Sequence, residues 1–465
     1  MFFRMQTTVW AVQGIDQSVD QAAVLSAHQV GSATLTLMTH AAPPAFHVMV
    51  KAGGAICNLN CSYCYFLSKE LLYPGSRFRM AYALLEDYTE QYIAAQRAPE
   101  VTFAWQGGEP TLLGLEFYQH ALELQAKHRR PEMRIYNTFQ TNGTLLDDAW
   151  CAFFREHEVL VGLSIDGPEP LHDAYRVNKG GTGTFKAVMR GLELLIKHGV
   201  SFNILTTLHA ANAPYPLEVY RFLRDEVGAE FVQFIPIVER DNLTGFQEGA
   251  VVTERSLTAA QYGAFLSHVF DEWVRRDVGR VYVQMFDISL AAWVGMSPGL
   301  CVFEKTCGGA LALEHNGDVY SCDHFVEPDH LLGNLLELPL LEMVASEQQR
   351  AFGQAKQDLP RYCRNCEVRF VCNGGCPKDR ISTTPDGEAG LNYLCEGYRA
   401  FFNHIAPYMQ FMAGELREQR SPANIMGYLS RRDTEQQEAA QHMPRNAPCP
   451  CGSEKKVKHC CAAGR

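Results

Sequence analysis

Three cysteines stand close together in the stretch AGGAICNLNCSYCYF: Cys57, Cys61 and Cys64, spaced C-x3-C-x2-C. A tetrahedral metal site needs four ligands and disulfides consume thiols in pairs, so three thiols without a local fourth raise a chemical question. One answer is a zinc site that borrows a distant ligand, or three buried structural thiols. The other is a [4Fe–4S] cubane, which ordinarily takes four thiolates. Held by only three, such a cluster keeps one iron open, and an open iron can bind another molecule directly.

The remaining cysteines are grouped as well. Cys301, Cys307 and Cys322 are spaced C-x5-C-x14-C, the stretch CRNCEVRFVCNGGCP adds Cys363, Cys366, Cys372 and Cys376, and Cys395 follows after 18 residues. Eight thiols make two complete sets of four, enough for two fully ligated [4Fe–4S] clusters or for two zinc sites; spacing alone leaves both open. A further group, Cys449, Cys451, Cys460 and Cys461, reads C-x-C-x8-C-C, with His459 as a substitute for one thiolate. So short a stretch cannot build a core and needs a metal to fold. Cys151 stands alone.

The 41 basic and 52 acidic side chains give a net charge of −11, which argues against a general nucleic-acid surface. No run of about 18 apolar residues occurs, so no membrane span is expected. The first 25 residues lack a basic region followed by an apolar core, so no secretory signal is read. The expected compartment is the cytoplasm, where thiols stay reduced and 16 cysteines point to metal rather than to disulfides.

Elements that could position these thiols recur along the chain. FHVMVKA (46–52), VTFAWQ (101–106), RIYNTFQ (134–140), VLVGLSI (159–165), SFNILTT (201–207) and FVQFIPI (231–237) read as short buried strands. Helical patterns such as MAYALLEDYTEQYIAAQ and TFKAVMRGLELLIKHG lie between them, the second ending on a Lys-His-Gly stop. Strand–helix alternation of this kind predicts an α/β fold with a parallel sheet, a partial or complete (βα) barrel. In that architecture chemistry sits at the C-terminal ends of the strands, and the three thiols follow the first strand.

The thiol loop, with an aromatic at Tyr63 before the last cysteine, resembles the signature of the radical S-adenosylmethionine (SAM) superfamily. That resemblance implies a (βα)6 TIM-like partial barrel. It also implies a cluster whose open iron is chelated by the amino and carboxylate groups of SAM, and a 5′-deoxyadenosyl radical formed when one electron cleaves the sulfonium. It implies that Gln106, Gly107, Gly108 and Glu109, in AWQGGEP, hold the SAM amino group, that Ser164 in SIDGP contacts SAM, and that Arg176 in LHDAYRV reaches its carboxylate. The eight central cysteines resemble the SPASM extension of peptide-modifying members. By that resemblance one auxiliary cluster takes Cys301, Cys307, Cys322 and Cys376, and the other takes Cys363, Cys366, Cys372 and Cys395. The tail resembles the SEC-C zinc motif, with one Zn2+ expected on its four thiolates.

Within the superfamily the chain resembles the anaerobic sulfatase-maturating enzymes over roughly residues 45–410, above all in CNLNCSYCYF, AWQGGEPTL, QTNGTLL and SCDHFV. The implied reaction is oxidation of a Cys or Ser in an unfolded sulfatase segment, Cys/Ser-x-Pro/Ala-x-Arg, to Cα-formylglycine. The implied base is Asp323, directly after Cys322, and the implied electron donor is a flavodoxin or ferredoxin. The alternatives are another SPASM maturase making thioether or carbon–carbon crosslinks, or a non-catalytic zinc or Fe–S interaction protein. The expected divisions are an N-terminal extension (1–44) that is disordered, a radical SAM barrel (45–280), an auxiliary-cluster domain (281–410), a polar, partly helical linker (411–445) and the zinc motif (446–465).

Overall fold

The computed structural model describes residue 43, residues 45–441, and residues 443, 444, 446–449, 455, 456 and 459. The expected extension 1–44 therefore lies, apart from Pro43, outside the described residues.

Six parallel strands follow the apolar runs closely: β1 (His47–Lys51), β2 (Glu100–Trp105), β3 (Arg134–Thr141), β4 (Leu160–Ser164), β5 (Phe202–Leu208) and β6 (Phe231–Pro236). A two-residue strand, β7 (Tyr282–Val283), pairs parallel with β6. The helices between strands bury one face over the sheet, and Phe185–His198 stops where Gly199 adopts the left-handed conformation.

Among the described residues the sheet does not close. Beyond β1 it continues through β8 (Ala310–Glu314), which pairs parallel with β1 from His47↔Ala310 to Lys51↔Glu314. The antiparallel β9 (Asp318–Tyr320) and β10 (Leu331–Asn334) then extend it, giving one ten-stranded sheet. The segment carrying Cys322 and Asp323 is thus hydrogen-bonded, through β8, to the strand that precedes the three-thiol loop. This is the expected partial barrel with an auxiliary region, joined by a continuous sheet rather than by a tether.

The long helix Cys395–Arg417 begins on a predicted metal ligand and packs against Ala259–Arg276. Gly397 and Gly263 face each other there, and a Cβ on Gly263 would meet the Gly397 carbonyl at 2.8 Å. In the described part of the expected linker, residues 411–441 are helical almost throughout. They contain the end of that helix and a further one, Asn424–Gln441, which buries Ile425 and Leu429 and pairs Asp433 with Arg275 at 3.2 Å. Two apolar residues at i, i+4 suffice to dock a helix whose other faces are polar. Among the described residues no helix is long and apolar enough to cross a membrane.

Candidate active site

The three-thiol loop leaves the C-terminal end of β1 and is pinned on two sides. Gly108 N–H donates to Gly54 O (2.9 Å) and Glu109 N–H to Ile56 O (2.8 Å), while Asn60 and Ser62 donate to Val177 O and Tyr175 O. A Cβ on Gly108 would collide with the Ile56 carbonyl, so the glycine admits the thiol loop as well as any ligand. Cys57 Sγ receives the Leu59 N–H (3.4 Å) and the Asn142 amide (3.8 Å). Burial pushes the Cys57 thiol up to about 11 and the Cys61 thiol up to about 12, and each senses the charge of its neighbours. Bare thiols here would stay protonated, whereas a metal centre deprotonates its coordinating thiols outright. Three half-buried thiols on one pinned loop, with N–H donors aimed at one of them, fit a cluster site.

Glu109 is buried and braces the ends of β2 and β3. It accepts from Thr111 N, Thr111 Oγ1 (2.7 Å), Thr141 Oγ1 (2.8 Å) and Asn142 N (2.8 Å). Burial raises its carboxyl despite those bonds. Ser164 Oγ takes a bond from Gln140 Nε2 at 3.1 Å, and Gln106 Oε1 lies 3.3 Å from Lys51 Nζ.

Arg176 does not stand free for a ligand. Its Nε donates to Asp166 Oδ2 at 2.8 Å, and its guanidinium lies over the Tyr63 ring. Tyr63 in turn donates to the same oxygen at 2.5 Å, and Thr207 N–H to Oδ1. Burial works against the Asp166 charge, yet Arg176 and the nearby imidazoles hold its carboxyl below the usual range. Asp166 is a buried carboxylate at the centre of these contacts that the sequence reading did not single out, although it lies inside the quoted SIDGP.

Asp323 occupies the other side of the barrel mouth. Its Oδ1 is 2.5 Å from Lys51 Nζ, at the end of β1, and its Oδ2 accepts the Tyr65 hydroxyl at 2.6 Å. Both Lys51 and Asp323 are buried. Burial alone would raise the carboxyl, but Lys51 foremost among its neighbours holds it below the usual carboxylate range. A carboxylate offers about four lone-pair sites, so those two partners leave Asp323 capacity to accept a proton. Lys51 and Tyr65 were also missed; neither belongs to a spacing pattern.

The eight central thiols sort into two quartets. Cys301, Cys307, Cys322 and Cys376 sense one another's charge. So do Cys363, Cys366, Cys372 and Cys395, which line a single cavity with Tyr362, Arg369 and Arg399. In the tail Cys449 is buried and its N–H donates to Lys455 O; Cys451, Cys460 and Cys461 lie outside the described residues.

Comparison with known proteins agrees with this architecture. Family models match the radical SAM superfamily over residues 53–223, an iron–sulfur cluster-binding (SPASM) domain over 301–367 and the SEC-C motif over 445–463. The chain is therefore a radical SAM enzyme with an auxiliary iron–sulfur domain. It is 50% identical to a serine-type anaerobic sulfatase-maturating enzyme of Bacteroides thetaiotaomicron, over 82% of this chain and 95% of that protein. It is 32% identical to a cysteine-type enzyme of Clostridium perfringens, over 80% and 100%. The solved structure of anSMEcpe with bound AdoMet superposes with a TM-score of 0.72 at 32% identity, over 79% of this chain and 99% of that one. Streptococcus suis SuiB shares the fold at 15% identity and a TM-score of 0.54, over 78% and 80%. The chain belongs to the anaerobic sulfatase-maturating enzymes.

Proposed function

We propose that this enzyme oxidises the Cβ of a serine or cysteine in an unfolded sulfatase segment, Cys/Ser-x-Pro/Ala-x-Arg, to formylglycine without O2. The observation that carries the reading is Asp323: a buried, ionised carboxylate adjoining Cys322, held between Lys51 and Tyr65 at the barrel mouth. Converting R–CH2–XH to R–CH=X removes one hydrogen atom from Cβ, one proton from X and one electron. The cofactors supply the radical that takes the hydrogen atom and the acceptor that takes the electron. Asp323 takes the proton, which a positioned carboxylate suits. Lys51 keeps that carboxylate ionised, and Tyr65 fixes its orientation. For a cysteine target the thioaldehyde then exchanges sulfur for water.

In this reading three [4Fe–4S] clusters sit on Cys57/Cys61/Cys64, Cys301/Cys307/Cys322/Cys376 and Cys363/Cys366/Cys372/Cys395. SAM lies against Tyr63, the Gln106–Glu109 turn, Ser164 and Arg176, and Arg176 acts on it while remaining paired with Asp166. One Zn2+ occupies the tail thiols, Cys449, Cys451, Cys460 and Cys461. Among the described residues no three His, Cys, Asp or Glu are close enough to hold a single metal ion. The work is cytoplasmic, with a flavodoxin or ferredoxin as electron source. The 50% identity to a serine-type relative, against 32% to a cysteine-type one, supports serine as the preferred target.

Anaerobic reconstitution followed by one reaction on matched Ser-x-Ala-x-Arg and Cys-x-Pro-x-Arg peptides tests this. About twelve iron atoms per chain are expected for three cubanes, with 5′-deoxyadenosine and formylglycine detected together by mass spectrometry. Iron near four per chain, or 5′-deoxyadenosine without aldehyde on either peptide, overturns the reading.

A further inference from the structure

The two auxiliary quartets share a pair of cations that no carboxylate answers. Several other buried or half-buried cations nearby have an acidic partner: Lys51 with Asp323, Lys69 with Glu327, Arg176 with Asp166, and Lys378 with Asp379. Lys356 is buried, yet its Nζ donates only to the carbonyls of Cys301 and Val302. Arg380 is half-buried and donates to five carbonyls: Lys356 (2.8 Å), Gly374 (3.2 Å), Asp358 (3.3 Å), Asn373 (3.3 Å) and Gly375 (3.5 Å). Neither cation has an Asp or Glu within ion-pair distance among the described residues. Burying a charge is costly unless it is compensated.

Burial works against both charges and lowers both groups, and the opposing influence comes from the thiols. Lys356 faces Cys301, Cys307 and Cys376, all of one quartet. Arg380 faces Cys307 and Cys376 of that quartet and Cys363 and Cys372 of the other. Three of its acceptors, residues 373–375, form the link between Cys372 and Cys376, where the chain passes from one quartet to the other. A cation tied to that link cannot leave one metal centre without leaving both.

We propose that Lys356 and Arg380 are the counter-charges of the auxiliary clusters, Lys356 serving one and Arg380 serving both, and that they raise the potentials at which those clusters accept the substrate's electron. The proposal rests on the three-cluster reading. In the step concerned the substrate radical is oxidised by one electron, the auxiliary pair is reduced by one, and the proton has already gone to Asp323. Reduction makes a thiolate-ligated cluster more negative, so a fixed positive charge close by favours the reduced form. Both residues are positioning residues in this sense, since they act through the clusters and do not touch substrate.

The test is an EPR-monitored redox titration of the anaerobically reconstituted holoenzyme. Lys356→Met should shift one auxiliary signal to more negative potential, and Arg380→Met should shift both. Each shift should reach about tenfold in the one-electron equilibrium, about 59 mV. Lys356→Arg and Arg380→Lys, which keep the charge, should retain wild-type midpoints. Unchanged midpoints in the neutral variants at full iron content overturn the proposal, as do equal shifts in the charge-conserving variants. Where a neutral variant binds less iron, its charge-conserving partner decides: full iron and native midpoints there support the proposal, and iron loss there too overturns it. Wild-type enzyme lacking two auxiliary signals overturns the three-cluster reading, and this proposal with it, and is told apart because the fault lies in the unsubstituted protein.

Discussion

Cys64 stands between two tyrosines whose hydroxyls go to different buried carboxylates. Tyr63 donates to Asp166 at 2.5 Å and Tyr65 to Asp323 at 2.6 Å. Each carboxylate also faces a cation, Arg176 in one case and Lys51 in the other. The two clusters share their chemistry and differ in access. Asp166 is fully enclosed, with Thr207 N–H bound to its second oxygen. Asp323 touches Tyr65, which is 37% exposed, and lies one residue from Cys322. A carboxylate whose oxygens are committed to the fold holds neighbours in place. A carboxylate whose partner reaches solvent can exchange a proton with something that arrives from outside.

The largest expected difference is in product formation. Asp323→Asn keeps the shape and removes the proton acceptor, so formylglycine should fall roughly 10²–10⁴-fold. SAM cleavage should continue, because it uses Cys57, Cys61, Cys64 and an electron. Mass spectrometry of both products in one reaction measures this, and wild-type aldehyde yield would remove Asp323 from the mechanism. Asp166→Asn should act on the other side of the comparison. It strands the buried Arg176 guanidinium, a loss of roughly 3–5 kcal/mol for a broken buried pair. Denaturant unfolding of the apoprotein should register that loss, together with weaker SAM binding after reconstitution. Unfolding at the wild-type midpoint would mean that the Asp166 cluster is not a brace.

The Lys51–Asp323 pair predicts a pH effect of definite sign. The carboxyl is held below its ordinary value, so the pair's stabilisation is present above the unfolded pKa of about 3.9 and is lost as pH falls through the lowered folded value. Across neutral pH the base is therefore ionised. Lys51→Met removes the chief cause of that lowering and leaves burial, which raises the carboxyl. Aldehyde formation in this variant should acquire an acid limb that wild type lacks. Below the new pKa, each unit of upward shift costs about tenfold in ionised base. SAM cleavage should show no matching limb; a parallel decline in both products would assign Lys51 to the SAM side.

Much of this was legible beforehand. The six parallel strands announced themselves as apolar runs, because a strand buried on both faces by helices needs no polar alternation. The cysteine groups were visible as spacings, but spacing left clusters and zinc both open, and the two ligand sets came from the resemblance alone. What escaped were residues whose meaning is a distant partner. Lys51 looks like a lysine at a strand end, Tyr65 like one more aromatic in CYF, and their carboxylate comes from Asp323, 258 residues beyond Tyr65. The pairing that brings it there, β8 parallel to β1, is non-local and leaves no period in the sequence. Arg176 and Glu109 carry the complementary lesson. Both stand in motifs that suggest ligand contact, and both are already engaged by the protein, with Asp166 and with Thr111, Thr141 and Asn142.

The smallest effect separates the two tyrosines themselves. Tyr65→Phe removes one donor from Asp323, but the site is open enough there for water to take its place. The expected loss is about 1 kcal/mol, or roughly fivefold in aldehyde formation, with protein stability and SAM cleavage unchanged. Tyr63→Phe removes the equivalent bond where water has no access, since its hydroxyl meets a fully buried carboxylate. A donor lost to a buried charged acceptor costs more, roughly 1.5–3 kcal/mol, and that cost should appear in unfolding rather than in the ratio of aldehyde to 5′-deoxyadenosine. Measuring stability and product ratio for both variants crosses the two readouts. If Tyr65→Phe lowers stability and spares the ratio, while Tyr63→Phe does the reverse, the roles assigned to the two carboxylates must be exchanged.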